Sequence, residues 1–303
     1  MIETLLIPTD GSDSARAAAK RGFELADDLE ASVHVLSVAD SSIATGAGYS
    51  GDSPSIRRRL REQAKTRATA LSEVATERGL EATAATREGI PAKEIAAYAE
   101  EHAEAIVIGT AGRGGLSRAI VGSVADKVVR TAPVPVVTVT EDAAATEGTV
   151  ESILCPTDGS AYAASAIERT FDLAEALEAT VHLLAVVDTA LETTLASLPE
   201  DADAPSDPLE AAEEFLTDLA SDGRGRGLEV HTAVREGDPA TEIGEYVATA
   251  GIDLVAMGTA GRGGFERALV GSVTDEVVRT ATVPVLTVRP DAGYPSDHNS
   301  TTR

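Results

Sequence analysis

Two glycine-rich strings have residue types and a spacing that suit phosphate binding. They read GTAGRGGLSRAIVGS at 109–123 and GTAGRGGFERALVGS at 258–272. Two residues separate the first glycine from the second, and nine separate the second from a final Gly-Ser, so the matched positions are Gly109, Gly112, Gly122 and Ser123, then Gly258, Gly261, Gly271 and Ser272. Glycine lets backbone N–H groups turn toward a ligand at positive φ, and a helix beginning at each serine adds the positive end of its dipole. The strings therefore predict an anion nest, with phosphate as its natural ligand.

A purely structural interpretation of the same strings stays open. The segments Ser123-Val-Ala-Asp126 and Ser272-Val-Thr-Asp275 have capping-box spacing, in which the serine caps its helix. A capping hydroxyl can still donate its own hydrogen to a phosphate oxygen, so the two roles are compatible. Arg113 and Arg262 lie within the strings and are candidates for phosphate contact, with solvated side chains as the alternative.

A second matched motif, PTDGS, occurs at 8–12 and at 156–160. Its candidate binding residues are Pro8, Thr9, Asp10, Pro156, Thr157 and Asp158. The aspartate carboxylate can accept a hydrogen bond from an adenine amino group. Alternatively it only organises the turn, as aspartate commonly does.

Other chemistries find little support. The Gly-Lys-Ser/Thr tripeptide of a P-loop is absent from the sequence. The dinucleotide fingerprint belongs to the turn after the first strand, whereas these strings follow the fourth strand of each copy. His34 and His182 occupy matching strand positions and are expected to be packed there. Asp10, Asp13 and Asp126 are weak candidates for Mg²⁺ in a chain so rich in acids. No Ser-His-Asp set or metal cluster follows from the spacing, so a capable hydrolase is not expected, and slow ATP hydrolysis stays open.

The elements that carry these motifs are duplicated. LLIPTDGS at 5–12 matches ILCPTDGS at 153–160, and VHVLSVAD at 33–40 matches VHLLAVVD at 181–188. A small, acidic stretch separates the copies. We predict domains at 1–143 and 149–290, here called the first and second half, and a disordered tail at 291–303.

Hydrophobic periodicity predicts alternating strands and helices in each half, with five strands. This order implies right-handed crossovers and a parallel sheet covered by helices on both faces, which is a doubly wound α/β fold. Ligands of such sheets bind beyond the carboxyl ends of the strands, where the strand order reverses. The glycine strings and the PTDGS motifs both lie at such ends.

The composition indicates the cellular environment of the protein and excludes some classes of binding partner. The formal net charge of −25 disfavours nucleic acid and anionic lipid as partners. It favours a cell with a salt-rich cytoplasm, in which repulsion between the acidic side chains is screened. Cys155 is the only cysteine, which excludes an internal disulfide and a cysteine-based zinc site. The first residues lack the pattern of a signal peptide and no apolar run is long enough to span a membrane, so we expect a cytoplasmic protein.

The glycine spacing that ends in Gly-Ser, together with PTDGS after the first strand, resembles the ATP-binding branch of the universal stress protein family over nearly all of both halves. The resemblance implies a Rossmann-like sheet of order 3-2-1-4-5, similar to adenine nucleotide alpha hydrolases. It also implies that Asp10 and Val38, and correspondingly Asp158 and Val186, hold adenine. The glycines and serines of the strings would then hold ribose and phosphates.

Three functional hypotheses follow. The first is a stress-response regulator that binds ATP, ADP or AMP, with or without Mg²⁺, at one site in each half; the alternatives are a slow ATP hydrolase and an adaptor with empty sites. The segments 41–55 and 189–208 are candidate lids, or plain linkers. The last strands, 136–139 and 285–288, are expected to pair within the chain as a pseudo-dimer, with further homo-oligomers open.

Overall fold

The computed structural model describes residues 2–41, 54–110, 121–146, 148–188, 207–259 and 270–289. The elements of the first half are β1 Thr4–Pro8, α1 Asp13–Asp28, β2 Ser32–Asp40, α2 Pro54–Glu77, β3 Ala82–Gly89, α3 Pro91–His102, β4 Ala105–Gly109, α4 Ser123–Thr131 and β5 Val136–Val139. The predicted tail and almost all of both candidate lids lie outside the described residues.

The second half repeats this order. Its elements are β6 Ser152–Thr157, α5 Ala161–Leu177, β7 Thr180–Val187, α6 Pro208–Gly225, β8 Val230–Glu236, α7 Pro239–Ala250, β9 Leu254–Gly258, α8 Ser272–Thr280 and β10 Val285–Val288. A short 3₁₀ turn, Ala143–Ala145, lies between the halves. None of the helices in the described parts of the chain has the length and apolar character needed to cross a membrane.

The strands form one ten-stranded sheet in the order β3-β2-β1-β4-β5-β10-β9-β6-β7-β8. Each half is parallel and has the predicted 3-2-1-4-5 order, so the predicted fold class is confirmed. The halves join where β5 and β10 run antiparallel, with Val137 opposite Leu286. The expected pairing of the last strands is therefore present in the sheet.

Helices cover both faces of the sheet, which explains why its inner strands, such as β1, β4, β9 and β10, are almost continuously buried. On one face a single core runs through both halves and includes Val137 and Leu286 from the joining strands. On the other face each half has its own core, and Val121 contacts both of these. The joint between the halves is thus a packed apolar seam as well as a strand pair.

Polar contacts at the strand and helix starts are also duplicated. Glu104 accepts the backbone N–H of Thr4 at 2.8 Å, and Asp253 accepts that of Ser152 at 2.9 Å, so each carboxylate fixes the first strand of its half. Ser12 caps α1 through the Ala15 N–H, and Ser160 caps α5 in the same way. Serine at an N-cap satisfies one of the otherwise unpaired amides of the first turn.

The two halves fill equivalent core positions with different side chains. In the first half Gly22 of α1 packs against Ile7 and Val107. A shift of 148 residues places Thr170 and Cys155 at the positions of Gly22 and Ile7, and a shift of 149 places Ala256 at that of Val107. Thr170 and Cys155 are fully buried, and burial raises the pKa of the Cys155 thiol to about 12. Compared with the first half, the second half therefore has a larger residue on the helix and smaller residues on the two strands that face it.

Candidate functional site

The two sequence motifs of the first half meet at the carboxyl edge of the sheet. β1 and β4 are adjacent parallel strands, so the PTDGS turn after β1 lies beside the start of the glycine string after β4. A Cβ on Gly109 would lie 2.8 Å from Ser14 Oγ and 3.0 Å from the Ser14 carbonyl oxygen. Glycine at 109 therefore lets the first turn of α1 lie directly against the end of β4.

Hydrogen bonds within the PTDGS turn use side chains that were predicted to bind ligand. Thr9 Oγ1 accepts the Gly11 N–H at 3.1 Å, and Asp10 Oδ1 accepts the Ser12 N–H at 2.9 Å. Gly11 has φ +81°, which a residue with a side chain rarely adopts. The turn-forming role of Asp10 is thus present in the structure.

The second half builds the same turn. Thr157 Oγ1 accepts the Gly159 N–H at 3.2 Å and Asp158 Oδ1 accepts the Ser160 N–H at 3.0 Å, while Gly159 has φ +75°. The threonines of both turns are buried, whereas Asp10 is half-buried and Asp158 is exposed. The second aspartate is accordingly the more open to solvent of the two.

Apolar residues lie next to both turns. Val38 and Val186, near the ends of β2 and β7, are partly buried against the cores of the α3 and α7 faces. Pro8, the last residue of β1, is buried, and Pro156, the residue before the end of β6, is half-buried. A half-buried aliphatic side chain at the mouth of a parallel sheet is a suitable surface for a planar base.

The last glycine of each string has an ordinary helix N-cap conformation and not the positive φ that an anion nest would use. Gly122 and Gly271 are helix N-caps with φ −61° and −60°, so neither needs the conformational freedom of glycine. Their N–H groups donate to the carbonyl oxygens of Thr110 (2.6 Å) and Thr259 (2.8 Å). These two amides are engaged inside the protein and cannot also belong to an anion nest.

The capping-box interpretation of the serines is wrong. Each helix does begin at the predicted serine, but Ser123 and Ser272 are the first helical residues and make no side-chain cap. The carboxylates that would complete the boxes pair with arginines one turn later, Asp126 with Arg130 at 2.8 Å and Asp275 with Arg279. Both serines are exposed, and no described side chain caps the first turn of α4 or α8.

The middle of each string lies outside the described residues. This holds for Gly112 and Arg113 in the first half and for Gly261 and Arg262 in the second. Their roles in ligand binding stay predictions from the sequence.

The histidines of the strands are packed, as predicted. His34 Nδ1 is 3.1 Å from the Tyr98 hydroxyl, and His182 Nδ1 is 3.0 Å from that of Tyr246. Burial lowers the pKa of both imidazoles, and a neighbouring histidine lowers each further. Within the described ranges no group of three or more His, Cys, Asp or Glu side chains is placed to hold a metal ion.

Sequence reasoning missed one feature of the site, the side chain of Arg67 on α2. Its Cδ and Nε lie 3.1 and 3.2 Å from the position of a Cβ on Gly11, so this arginine covers the turn of the first half. A position-by-position comparison of the two copies shows that the residue equivalent to Arg67 is Phe215, but the contact of Arg67 with the turn depends on the packing of α2.

The fold is a doubly wound α/β fold, and in each of its two tandem halves the PTDGS turn and the start of the glycine string lie at the carboxyl edge of the sheet. The model of the "Universal stress protein family" matches residues 1–140 and 149–289. The chain belongs to the universal stress protein family.

Individual relatives agree with this assignment. A universal stress protein of Methanocaldococcus jannaschii is 36% identical over 140 residues, covering 46% of this chain and 82% of that protein. One from Mycolicibacterium smegmatis is 31% identical over 194 residues, covering 63% of this chain and 64% of its own length, slightly less than two thirds. The crystal structure of a universal stress protein from Archaeoglobus fulgidus superposes with a TM-score of 0.73 at 20% identity, covering 95% of this chain and 98% of that one, which shows a shared fold.

Proposed function

We propose that the protein binds adenine nucleotide, with ATP as the main ligand, at one site in each half, and that occupancy regulates a stress response. The observation that carries this proposal is the arrangement at the carboxyl edge. There the PTDGS turn lies beside the first residue of a glycine string, and no described side chain caps the first turn of the helix that follows the string. The arrangement occurs twice in the chain.

The residues present suit the parts of such a ligand. The first-turn amides of α4 and α8 carry the positive end of the helix dipole, which favours phosphate. Val38 offers an apolar surface to a base, and Asp10, in the turn after the neighbouring strand, is a carboxylate that can accept a hydrogen bond from the amino group of the base. With Gly122 and Gly271 engaged elsewhere, the donors of the nest are the first-turn amides and the middle of each string.

The test is thermal unfolding and calorimetric titration of the full chain in molar KCl with ATP, ADP and AMP, with and without Mg²⁺. Ligand at a thousandfold excess over its Kd stabilises the site by about 4 kcal/mol. Gly112→Val should remove the first site and Gly261→Val the second, so each single variant should titrate with one fewer nucleotide than the parent.

Gly244→Ala is the matched glycine control, because Gly244 lies on the exposed side of α7 with no other atom within 4 Å of a Cβ there. It should leave the stoichiometry unchanged. Failure of the parent protein to bind any of the three nucleotides, or undiminished binding by the Gly112→Val/Gly261→Val double variant, would exclude the assigned strings.

A further inference from the structure

The first part of α2 and the equivalent residues of the second half have opposite formal charge. Residues 54–67, the first part of α2, include six basic side chains and one acidic one, a formal charge of +5. The equivalent residues 202–215 include five acidic side chains and no basic one, a formal charge of −5; α6 begins at Pro208, and the acidic side chains on its first turns are Glu210, Glu213 and Glu214. In a chain of net charge −25, this is a local reversal of the overall pattern.

The equivalence of the two helices rests on their buried positions. Ala68, Ser72 and Ala75 are the buried residues of α2 at the places where Leu216, Ala220 and Gly223 are buried in α6, a constant shift of 148. From Pro208 onward the comparison is therefore between positions that face the same way in the two halves.

The basic part of α2 borders the first candidate site. Arg57 and Arg61 lie 3.5 and 3.4 Å from the carboxylate oxygens of Glu88, at the carboxyl end of β3. Glu88 is the register partner of Ala39 on β2. Arg67 covers Gly11 beside Asp10, in the turn that lies next to the start of the glycine string. Three guanidinium groups thus lie along the carboxyl edge of the first half, on the face that α1 and α2 cover.

The second candidate site lacks this border. The positions of Arg61 and Arg67 are taken by Leu209 and Phe215, and Glu213 stands in place of Lys65. Phe215 is exposed on α6. On this part of α6 the side chains that replace the basic ones are apolar or acidic.

We propose that the two sites are electrostatically different. The first selects nucleoside di- and triphosphates through Arg61 and Arg67, and the second does not discriminate by phosphate number. This inference rests on the nucleotide function proposed above. Guanidinium groups attract phosphate oxygens through charge-assisted hydrogen bonds, and each added phosphate brings more negative charge to them. The same added charge is repelled by the acidic surroundings of the second site. Arg61 and Arg67 are thus specificity-determining residues for phosphate number.

The experiment measures each site alone in the full-length chain. Gly261→Val isolates the first site and Gly112→Val the second, and each variant is titrated calorimetrically with ATP and with AMP. The first site should prefer ATP over AMP by about tenfold or more, the effect of a few charge contacts, while the second should bind both within about threefold. Between about 0.2 M and 2 M KCl, ATP affinity should fall at the first site and hold or rise at the second.

Two matched variants locate the effect in the Gly261→Val background. Arg61→Gln/Arg67→Gln should lower ATP affinity about tenfold and leave AMP affinity within about twofold. Arg58→Gln/Arg59→Gln removes the same charge from exposed positions of the same helix and should change both affinities by less than about twofold. A converse pair, Leu209→Arg/Phe215→Arg in the Gly112→Val background, should raise ATP affinity at the second site.

The outcomes separate this inference from the proposed function. If neither site binds ATP or AMP, the nucleotide function itself fails. If both sites bind with the same ATP-to-AMP ratio, or if Arg61→Gln/Arg67→Gln leaves ATP affinity unchanged, the electrostatic difference is refuted while nucleotide binding stands. Unchanged affinity together with a smaller sedimenting mass would instead assign the basic helix to association with the acidic helix of a second copy.

Discussion

Substituting Gly22 by threonine copies a residue of the second half into the core of the first. A Cβ at position 22 would lie 2.8 Å from Ile7 Cδ1 and 3.3 Å from both Ile7 Cγ1 and Val107 Cβ. Threonine adds two further heavy atoms to this crowded position. At the equivalent position of the second half Thr170 is fully buried, and its hydroxyl donates to the Ala166 carbonyl oxygen at 2.7 Å.

We expect Gly22→Thr to lower the free energy of unfolding by about 2 kcal/mol. Overpacking a well-filled core costs about 1–3 kcal/mol, and the better helix propensity of threonine over glycine returns only a few tenths. For a unit of about 150 residues this loss corresponds to a fall in Tm of roughly 4–8 °C. Circular dichroism during heating measures the shift.

The smaller strand residues of the second half should relieve the strain. Adding Ile7→Cys and Val107→Ala to Gly22→Thr should restore part of the lost stability, with a coupling energy of about 1–3 kcal/mol. The same two changes without Gly22→Thr open a cavity and should cost roughly 2–4 kcal/mol. Gly244→Thr, the same substitution on an exposed helix surface, should shift stability by less than about 0.5 kcal/mol. An unchanged Tm for Gly22→Thr, or strictly additive effects in the triple variant, would refute compensation between these core positions.

The remaining predictions concern pH, the joint between the halves and the carboxylate that fixes the start of β6. Because the pKa of His34 and His182 is lowered in the fold, the unfolded chain binds more protons below about pH 6.5, and the stability that these groups contribute above that pH is lost as pH falls. The variant His34→Gln/His182→Gln should therefore lose less Tm than the parent between about pH 7 and 5, and identical pH profiles would contradict this. Val137→Pro places an imino acid opposite Leu286 in the joining strands, where it should separate the halves; an unchanged radius of gyration in solution scattering would argue against it. Asp253→Ala leaves the Ser152 N–H without its carboxylate partner and should lower the free energy of unfolding by about 1–2 kcal/mol in chemical denaturation, and Asp253→Asn should lower it less. Equal stability of the two variants and the parent would show that the Asp253 carboxylate contributes nothing to stability.

Much of the architecture was readable from the sequence because its signals are local. The duplication, the five strands of each half and helices such as Pro91–His102 follow from hydrophobic periodicity and turn residues. The 3-2-1-4-5 order came from the family resemblance, and the sheet confirms it. Pairing of the last strands was expected because each would otherwise leave an open edge, and β5 does lie against β10.

Only the tertiary structure decided how individual groups of the candidate site are used. The glycine spacing alone does not show that the Gly122 amide is taken by Thr110, or that Asp126 turns to Arg130 and leaves Ser123 without a capping role. Likewise the basic run of α2 is visible in the sequence, but its place beside Gly11 depends on how α2 packs across β2 and β3. The neighbours of Arg67 are set by packing between residues far apart in the chain, and the partners of Gly122 and Asp126 are set by the conformation at the start of α4, where several local hydrogen-bond patterns compete. Periodicity and spacing record only the local preferences of the backbone.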